Sequence, residues 1–481
     1  MKPSLIQPAC IWIRRHVSHS KCRHGGDGFE PTVPPRPVVH EGDDDRHSSY
    51  PYVESNGRLV MKDSLVFPDA ALERAVRRAI FGLRGDIYRY DVAGISALET
   101  MENGISDLTG LEYATVLERL EITYGRISDI SPLANLTNLE DLDLSNNELS
   151  DISALTNLTE LTRVDLSLNR ICDISPLANL RRLTRLVLIC NQIDYISSLS
   201  GLTDLKRLNL MDNRIGDISP LAGLINLKTL ALAGNQIGDI SPLGELKRLR
   251  SLRLDDNPIG DLSPLANLIN LRELILDFTE TTDISPLANL TELMVLDLHS
   301  NGISDVSPLA NLTELGLLSL ACNQISDISP LANLGGLKWL GLWSNPIDEM
   351  APLADLVGLV TLKLSNIGMS DISFLANLAE LLELDLRCNQ IADISPLAGL
   401  TELQEVDLSG NEIGDVESLA NLAKLTRINL SDNQIEDASP LVYNEGLTAG
   451  GFVDLRDNPL SSESITVYMA ELAAKGVRVD Y

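Results

Sequence analysis

The sequence lacks a long apolar run, and this excludes one class of protein. Hydrophobic residues make up 44% of its 481 residues, yet no stretch approaches the roughly eighteen consecutive apolar residues of a membrane-spanning helix. Leu5 to Ile13 resembles a signal-peptide core only superficially, because it contains Gln7 and Pro8 and no small-residue cleavage site follows it. We therefore predict no membrane insertion and, as the sequence stands, a cytoplasmic protein. A true start near Met61 would leave a secreted or cell-surface protein open.

Positive charge is also scarce. The chain has 38 lysines and arginines against 68 aspartates and glutamates, a net charge of −30. Binding to nucleic acid depends on basic side chains that displace counterions from phosphates. We therefore expect no nucleic-acid partner, and a protein or peptide partner that is neutral or basic is favoured.

Cysteine and histidine are too few, and too scattered, for several kinds of site. The six cysteines are spread thinly, unlike those of a disulfide scaffold, so we predict thiols. Five of the six histidines precede residue 48, near Cys10 and Cys22, with a spacing that matches no closed zinc site. His299 is the remaining histidine, and neither a nucleophile elbow nor a phosphate loop is present. The sequence therefore predicts no metal, no cofactor and no enzyme.

A 22-residue repeat with the template LxxLxLxxNxIxDIxxLxxLxx occupies most of the chain. Its ninth position recurs sixteen times without insertion from Asn103 to Asn433, and a further copy containing Asn458 follows a three-residue insertion. The alternating leucines predict a strand with one buried face. The asparagine amide is suited to satisfying the buried backbone groups of adjacent turns. The predicted ladder consists of Asn147, Asn169, Asn191, Asn213, Asn235, Asn257, Asn301, Asn323, Asn345, Asn389, Asn411 and Asn433.

The best copy, "ISDISPLANLTNLEDLDLSNN", resembles the leucine-rich repeat of bacterial internalins and is similar to phosphatase-regulatory leucine-rich repeat proteins. The resemblance covers residues 64–481. It implies an α/β solenoid, curved and right-handed, with a concave parallel β-sheet and short helical or 3-10 segments on the convex side. We expect a helical cap at 64–92, about seventeen repeats at 93–460 and an α/β cap at 461–481. Residues 1–60, rich in proline and charge, are expected to be a disordered extension.

Local signals support these caps and turns. Leu72, Val76 and Ile80 share one helical face behind Asp69 as the N-cap, and a second helix is expected from Ser461 or Ser462 to Gly476. Each Ser-Pro pair is predicted to begin a helical segment with serine as its N-cap. An acidic column four residues after the ladder position is interpreted as structural capping, with cation binding as the alternative. It contains Asp107, Asp129, Asp151, Asp173, Asp217, Asp239, Asp261, Asp283, Asp305, Asp327, Asp371, Asp393, Asp415 and Asp437.

The family resemblance implies a non-enzymatic, monomeric scaffold that binds a protein or peptide on its concave sheet. A secreted or surface adhesin is the alternative, and an enzyme is disfavoured. Two clusters of outward positions emerge when the strands are aligned. One is a column of Arg163, Arg185 and Arg207; the other centres on Trp339 and Trp343, which we predict to form two walls of a slot floored by Gly341. The second cluster also includes Leu317, His299, Asp297, Phe278 and Lys363.

Overall fold

The structure is a computed structural model that describes residues 52–55, 58–61, 64–102 and 104–481. The strands are β1 (Tyr52–Ser55), β2 (Arg58–Met61), β3 (Ser64–Leu65), β4 (Ile87–Tyr88), β5 (Ala97–Thr100), β6 (Arg119–Ile122), β7 (Asp141–Asp143), β8 (Arg163–Asp165), β9 (Arg185–Val187), β10 (Arg207–Asn209), β11 (Thr229–Ala231), β12 (Ser251–Arg253), β13 (Glu273–Ile275), β14 (Val295–Asp297), β15 (Leu317–Ser319), β16 (Trp339–Gly341), β17 (Thr361–Lys363), β18 (Glu383–Asp385), β19 (Glu405–Asp407), β20 (Arg427–Asn429), β21 (Phe452–Asp454) and β22 (Arg478–Asp480). The α-helices are α1 (Ala70–Ala79), α2 (Arg89–Ala93), α3 (Ser439–Tyr443) and α4 (Met469–Ala474), the last preceded by a π-helical turn at Ser464–Tyr468.

Short 3-10 turns connect the strands of successive repeats. They lie at Leu111–Tyr113, Ser131–Leu133, Ser153–Leu155, Ser175–Leu177, Ser197–Gly201, Ser219–Leu221, Ser241–Leu243, Ser263–Asn267, Ser285–Leu287, Ser307–Leu309, Ser329–Asn333, Ala351–Asp355, Ser373–Asn377, Ser395–Gly399 and Glu417–Leu419. Each turn follows its strand by the same number of residues because the repeat keeps its length. The strands therefore share one side of the molecule and the turns share the other.

Strands β5 to β22 form one parallel sheet in chain order. Neighbouring strands pair one repeat apart, as Leu142 with Val164 and Arg163 with Arg185 show. Among the described strands, β5 pairs only with β6 and β22 pairs only with β21, so the sheet is open at both ends. An open sheet of eighteen parallel strands, backed by 3-10 turns, confirms the predicted leucine-rich repeat solenoid.

Repeated leucines and isoleucines fill the space between the sheet and the turns. In one repeat, Leu142, Leu144, Leu155 and Leu158 each have 0% of their surface exposed. Each repeat buries such a set only because the next repeat covers it, so the core is continuous along the solenoid. Burial of a leucine side chain contributes roughly 1.5–3 kcal/mol. The same leucine positions hold the strands in one register.

The side-chain amide forms hydrogen bonds to the backbone at all twelve predicted ladder positions, and Asn213 shows the pattern. Its Oδ1 accepts a hydrogen bond from the Ile193 N–H at 3.1 Å, in the preceding repeat. Its Nδ2 donates to the carbonyls of Leu188, Leu210 and Met211 at 2.9, 3.0 and 3.1 Å. One amide thus satisfies buried backbone groups of two repeats. Asn458 repeats this arrangement after the insertion.

The residue before each ladder position adopts a left-handed backbone conformation that the sequence analysis did not predict. From Tyr124 to Asp457, sixteen such residues have φ between 54° and 67°. Asparagine, aspartate and glycine tolerate this region best, and they occupy many of these positions, including Asn146, Asp212 and Gly234. The recurrence of these residue types before the ladder position was the sequence signal that could have predicted the left-handed conformation. The chain turns sharply here, directly after the outward-facing part of each strand.

Structural capping by the acidic column is also confirmed. All fourteen aspartates of the column accept a hydrogen bond at 2.8 Å from the backbone N–H of the second residue after them. The prediction that the serines are N-caps is wrong: Ser131 is the first residue of its 3-10 turn, and its N–H and hydroxyl both donate to Asp129. The serine hydroxyl therefore donates to the aspartate and does not accept a hydrogen bond from the turn.

Both ends of the solenoid are covered by helices. In α1, Leu72 and Val76 are fully buried, and the predicted N-cap Asp69 accepts hydrogen bonds from the Ala71 and Leu72 N–H groups at 2.8 and 3.1 Å. At the other end, Ser461 Oγ accepts from the Ser464 N–H at 3.1 Å. The helical segment that begins there is followed by β22, which extends the sheet.

Residues 52–61 differ from the expectation of disorder. Strands β1 and β2 pair antiparallel, with Tyr52 opposite Met61. The sequence between the strands is Asn56-Gly57, the dipeptide favoured in two-residue hairpins, and β-branched or aromatic residues flank it. The remaining part of the predicted disordered extension, with Cys10, Cys22 and the five early histidines, lies outside the described residues. In the part that is described, no helix is long and apolar enough to span a bilayer.

Replacing a ladder asparagine should destabilise the domain far more than replacing an exposed one. Asn213→Ala leaves the Ile193 N–H buried without a partner and removes one of the two hydrogen bonds to the Leu188 carbonyl, which costs about 1–3 kcal/mol. Asn289→Ala is the matched control because Asn289 is exposed in a turn. Urea unfolding followed by circular dichroism measures both. Equal effects of the two substitutions would contradict the structural role of the ladder.

The capping aspartates make stability depend on pH in the acid range. Hydrogen bonds from the serine N–H and hydroxyl hold the pKa of Asp217, Asp239 and Asp283 below the usual value of 3.8. A lowered folded-state pKa contributes stability that is present above 3.8 and is lost as the pH falls through the folded-state value. The thermal unfolding midpoint, measured by circular dichroism, should therefore decrease as the pH is lowered below about 4. The triple Asp→Asn variant should show a lower midpoint at neutral pH and a shallower acid fall, whereas Asp194→Asn, outside the column, should match the parent chain.

Candidate functional site

The outward positions of the strands form the candidate binding face. On each strand, side chains alternate between the core and the concave surface, so the template leucines point inward and the variable residues point outward. Val295, Leu317 and Trp339 are register partners on β14, β15 and β16. The predicted apolar cluster is therefore one continuous row across three strands.

Trp339 and Trp343 meet on this face and form an aromatic platform. Their ring centroids are 6.2 Å apart and the planes are inclined at 87°, an edge-to-face contact. Both side chains are half-buried. Edge-to-face pairs stabilise each other by about 0.5–1.5 kcal/mol beyond their burial. The platform is thus a preformed apolar surface that remains partly open to a partner.

The predicted open slot above Gly341 is wrong. A Cβ atom at position 341 would lie 2.4 Å from Trp343 Cζ3 and 2.6 Å from Trp339 Cη2. Both rings therefore lie directly over the glycine and occupy the space that the slot required. The missing side chain lets the two rings approach each other. Gly341 supports the platform, and a partner would contact the outer surfaces of the rings.

Lys363 lies beside this platform. It is the register partner of Gly341 on β17, and its ammonium group is 3.0 Å from the Glu383 carboxylate. Both side chains are partly exposed, so the pair is a weak, screened interaction. Lys363 is therefore placed where the prediction expected it, with part of its charge balanced by its neighbour.

Asp277, Asp297 and His299 form a second group on this face, two strands from the platform. Nδ1 of His299 is 2.8 Å from Asp297 Oδ1, and Nε2 is 3.6 Å from Asp277 Oδ2. The His299 side chain is only 5% exposed, and Phe278 packs against it edge-to-face at 5.3 Å between ring centroids. Phe278 and Asp297, both predicted site residues, therefore lie against the one histidine of the repeats.

Electrostatics in this group are unusual for a protein surface. Burial raises the pKa of Asp277 to about 7, and the charges of Asp255 and Asp297 add to the shift, although His299 opposes it. Burial lowers the pKa of His299, but the hydrogen bond to Asp297 and the surrounding carboxylates outweigh it, so the net shift is upward. The group carries more negative charge than its one imidazole can balance.

The predicted arginine column lies on adjacent strands. Arg163, Arg185 and Arg207 are register partners on β8, β9 and β10. The Arg163 guanidinium is 2.7 Å from the Asp141 carboxylate, which Arg119 also contacts at 3.4 Å. Arg185 and Arg207 are exposed and form no ion pair with the other described residues. The available positive charge is thus concentrated on two of the three predicted arginines.

Two features of the site were missed by the sequence analysis. Asp277 was not assigned to the site, although it occupies the same column as His299, one repeat earlier. Asp141 was not recognised as the partner of Arg163, although their strands are neighbours. In each case the signal was a carboxylate and a basic side chain that lie one repeat, or 22 residues, apart in the sequence.

Comparison with known proteins was made at the level of sequence and of structure. The family model described as leucine-rich repeats (two copies) matches residues 137–179, 181–223, 225–267, 292–333, 357–399 and 401–443. These segments together make up more than half of the chain. No curated protein matches the sequence.

Solved structures include several similar solenoids. An internalin (InlF) of Listeria monocytogenes is 35% identical with a TM-score of 0.59, and the match covers 71% of this chain and 95% of that one. InlJ of the same organism is 22% identical with a TM-score of 0.62, covering 81% and 80%. The plant peptide hormone receptor RGFR1, solved in complex with RGF2, is 21% identical with a TM-score of 0.61, covering 77% and 64%.

The last two similarities concern the fold alone, because their identity is low. The repeat model and the internalin match support more than the fold, because they rest on sequence similarity to this chain as well as on architecture. Together with the ladder and the parallel sheet, they identify the chain as a member of the leucine-rich repeat family, of the bacterial internalin-like type.

Proposed function

We propose that the protein is a non-enzymatic scaffold that binds a protein or peptide on the concave face of its solenoid. The observation that carries this proposal is the aromatic platform of Trp339 and Trp343, with its ring centroids 6.2 Å apart on the outward side of β16. Tryptophan is enriched among the residues that dominate binding energy at protein interfaces. A rigid platform loses little side-chain entropy when a partner binds.

The arginine column defines the second part of the proposed interface. Arg207 lies on β10 and Trp339 on β16, six strands apart, which corresponds to about 29 Å at roughly 4.8 Å per strand. An extended segment of about nine residues spans that distance. We infer a partner segment with an apolar anchor for the platform and acidic residues for Arg185 and Arg207. This replaces the earlier expectation of a basic or neutral partner, because Arg185 and Arg207 are exposed and positively charged.

The similar plant receptor supports the binding mode but not the partner. That receptor was solved in complex with RGF2, so a solenoid of this fold accommodates a ligand. The internalin-like type keeps a surface adhesin as the alternative. A scaffold inside the cell and a surface adhesin differ in where the protein acts, and fractionation of the source cells distinguishes these two possibilities.

Removal of both tryptophan rings should abolish binding without unfolding the domain. Selection from a displayed random-peptide library should enrich peptides that pair an aromatic or aliphatic residue with acidic residues. Trp339→Ala combined with Trp343→Ala should weaken binding of a selected peptide by more than about tenfold, since buried aromatic anchors contribute over 1 kcal/mol each. Fluorescence anisotropy of the labelled peptide measures the affinity.

A double variant of exposed apolar residues outside the sheet serves as its control. Ile225 and Val357 are 54% and 55% exposed, and Ile225→Ala with Val357→Ala should leave peptide binding unchanged. Circular dichroism verifies that both double variants are folded. Unchanged peptide affinity in the folded tryptophan variant would place the binding site elsewhere.

The arginine column should account for the salt dependence of binding. Arg185→Ala with Arg207→Ala should weaken peptide binding at low ionic strength and flatten its dependence on salt, because exposed charges are screened over about 10 Å at 0.1 M salt. Arg181→Ala, an exposed arginine outside the sheet, is the control. A salt dependence that the column variant retains in full would remove these arginines from the interface.

A further inference from the structure

The imidazole of His299 has one nitrogen that the protein does not satisfy. Nε2 is buried and has no hydrogen-bond partner among the described residues, while the whole side chain is 5% exposed. A buried polar atom without a partner costs about 1–3 kcal/mol. The nearest charged group in front of it is the Asp277 carboxylate, with Oδ2 at 3.6 Å.

The hydrogen bond of the other imidazole nitrogen, Nδ1, follows a pattern that recurs in other repeats. In β8 the Asp165 Oδ1 accepts hydrogen bonds from the N–H and hydroxyl of Ser167, two residues later, at 3.0 and 2.6 Å. In β14 Asp297 takes the same role: its Oδ1 accepts from the His299 N–H at 3.1 Å and faces Nδ1 at 2.8 Å. In the neutral imidazole, a carboxylate that accepts from Nδ1–H keeps the proton there and leaves a lone pair on Nε2.

The lone pair and the Asp277 carboxylate therefore face each other, and both are acceptors. Their separation of 3.6 Å is too long for a hydrogen bond through a shared proton. Two ligands about 2.1 Å from a tetrahedral metal ion lie about 3.4 Å apart. The geometry matches two ligands of one metal ion better than an ion pair closed by a hydrogen bond.

We propose that Asp277, Asp297 and His299 form a binding site for a divalent transition-metal ion such as Zn²⁺. Nε2 of His299 and the carboxylate of Asp277 are the ligands, and Asp297 orients the imidazole, as carboxylates that accept from metal-bound histidines do. Imidazole nitrogen combined with carboxylate oxygen suits zinc and its first-row neighbours better than calcium or magnesium. One potential ligand atom from each of the three residues lies within 4.8 Å of the others.

The surroundings of the group favour a cation. Asp277 and Asp297 are 18% and 19% exposed, so the site opens onto the concave face, where water or a partner completes the coordination. Asp255 adds negative charge from the preceding strand. Phe278 covers one side of the imidazole and limits access of water to it. The sequence analysis predicted no metal here because Asp277 and His299 belong to different repeats.

The test is a Zn²⁺ titration of the full chain after removal of metal ions, followed by calorimetry and by the melting temperature. Zn²⁺ should raise the melting temperature of the parent protein, because a ligand that binds only the folded state stabilises it. Asp277→Asn should weaken the affinity of this site more than tenfold, and Asp297→Asn by about 10–100-fold. Co²⁺ should give the visible absorption of nitrogen and oxygen ligation in the parent chain and lose it in Asp277→Asn.

Three controls make the outcome decisive. Asp165→Asn removes a similar half-buried carboxylate from the concave face without a histidine nearby, and should leave Zn²⁺ binding unchanged. His299→Gln repeats the test for the second ligand, and circular dichroism verifies the fold of each variant. Zn²⁺ held by the cysteines and histidines before residue 48 would remain in every variant. The proposal is overturned if Asp277→Asn and His299→Gln keep the parent affinity and stabilisation, or if no added metal stabilises the parent chain. This test is independent of whether the platform binds a peptide.

Discussion

Each turn of the solenoid buries backbone N–H and C=O groups that find no partner in their own repeat, and the asparagine amide satisfies them. With one Oδ1 and one Nδ2 directed at neighbouring repeats, Asn213 and its equivalents define how one repeat stacks on the next. An uncompensated group at each turn would cost about 1–3 kcal/mol, which is comparable to the net stability of roughly 1–3 kcal/mol that a repeat of this length contributes. The parallel register, the alignment of outward side chains in columns and the binding face all follow from this stacking.

Prediction from sequence succeeded where the repeat itself supplies the constraint. The strands, the ladder, the buried leucines and the capping aspartates depend on spacing alone, and a constant period makes spacing readable. Prediction failed where the outcome depends on rotamers or on contacts between repeats. Nothing in the spacing of Trp339 and Trp343 indicates that their rings meet over Gly341. The serine caps were misassigned because the serine hydroxyl donates to the aspartate two residues earlier.

Local conformation was the other source of error. The left-handed residue before each ladder position is marked in the sequence by Asn146, Asp212 and Gly234, but Leu168 and Phe278 adopt the same conformation and mask the pattern. Bulky residues are strained there, and the ladder hydrogen bonds on either side hold them in place.

Three cysteines, Cys190, Cys322 and Cys388, occupy this left-handed position before the ladder residue as thiols. Burial and the nearby Asp212 raise the pKa of Cys190 to about 11, so it behaves as a small structural residue.

Between Asn147 and Asn458 the ladder has two interruptions, Thr279 and Ile367, and they lie on either side of the strand that carries the platform. Thr279 bonds its own repeat through the Leu276 carbonyl, and the Ile259 N–H that an asparagine would bind turns to the Asn257 carbonyl instead. Ile367 has no side-chain amide at all. Fewer side-chain hydrogen bonds therefore join the repeats at these two interfaces than at those that have an asparagine. The platform and the histidine group thus belong to one block of repeats that is bounded on each side by an interface without the ladder amide.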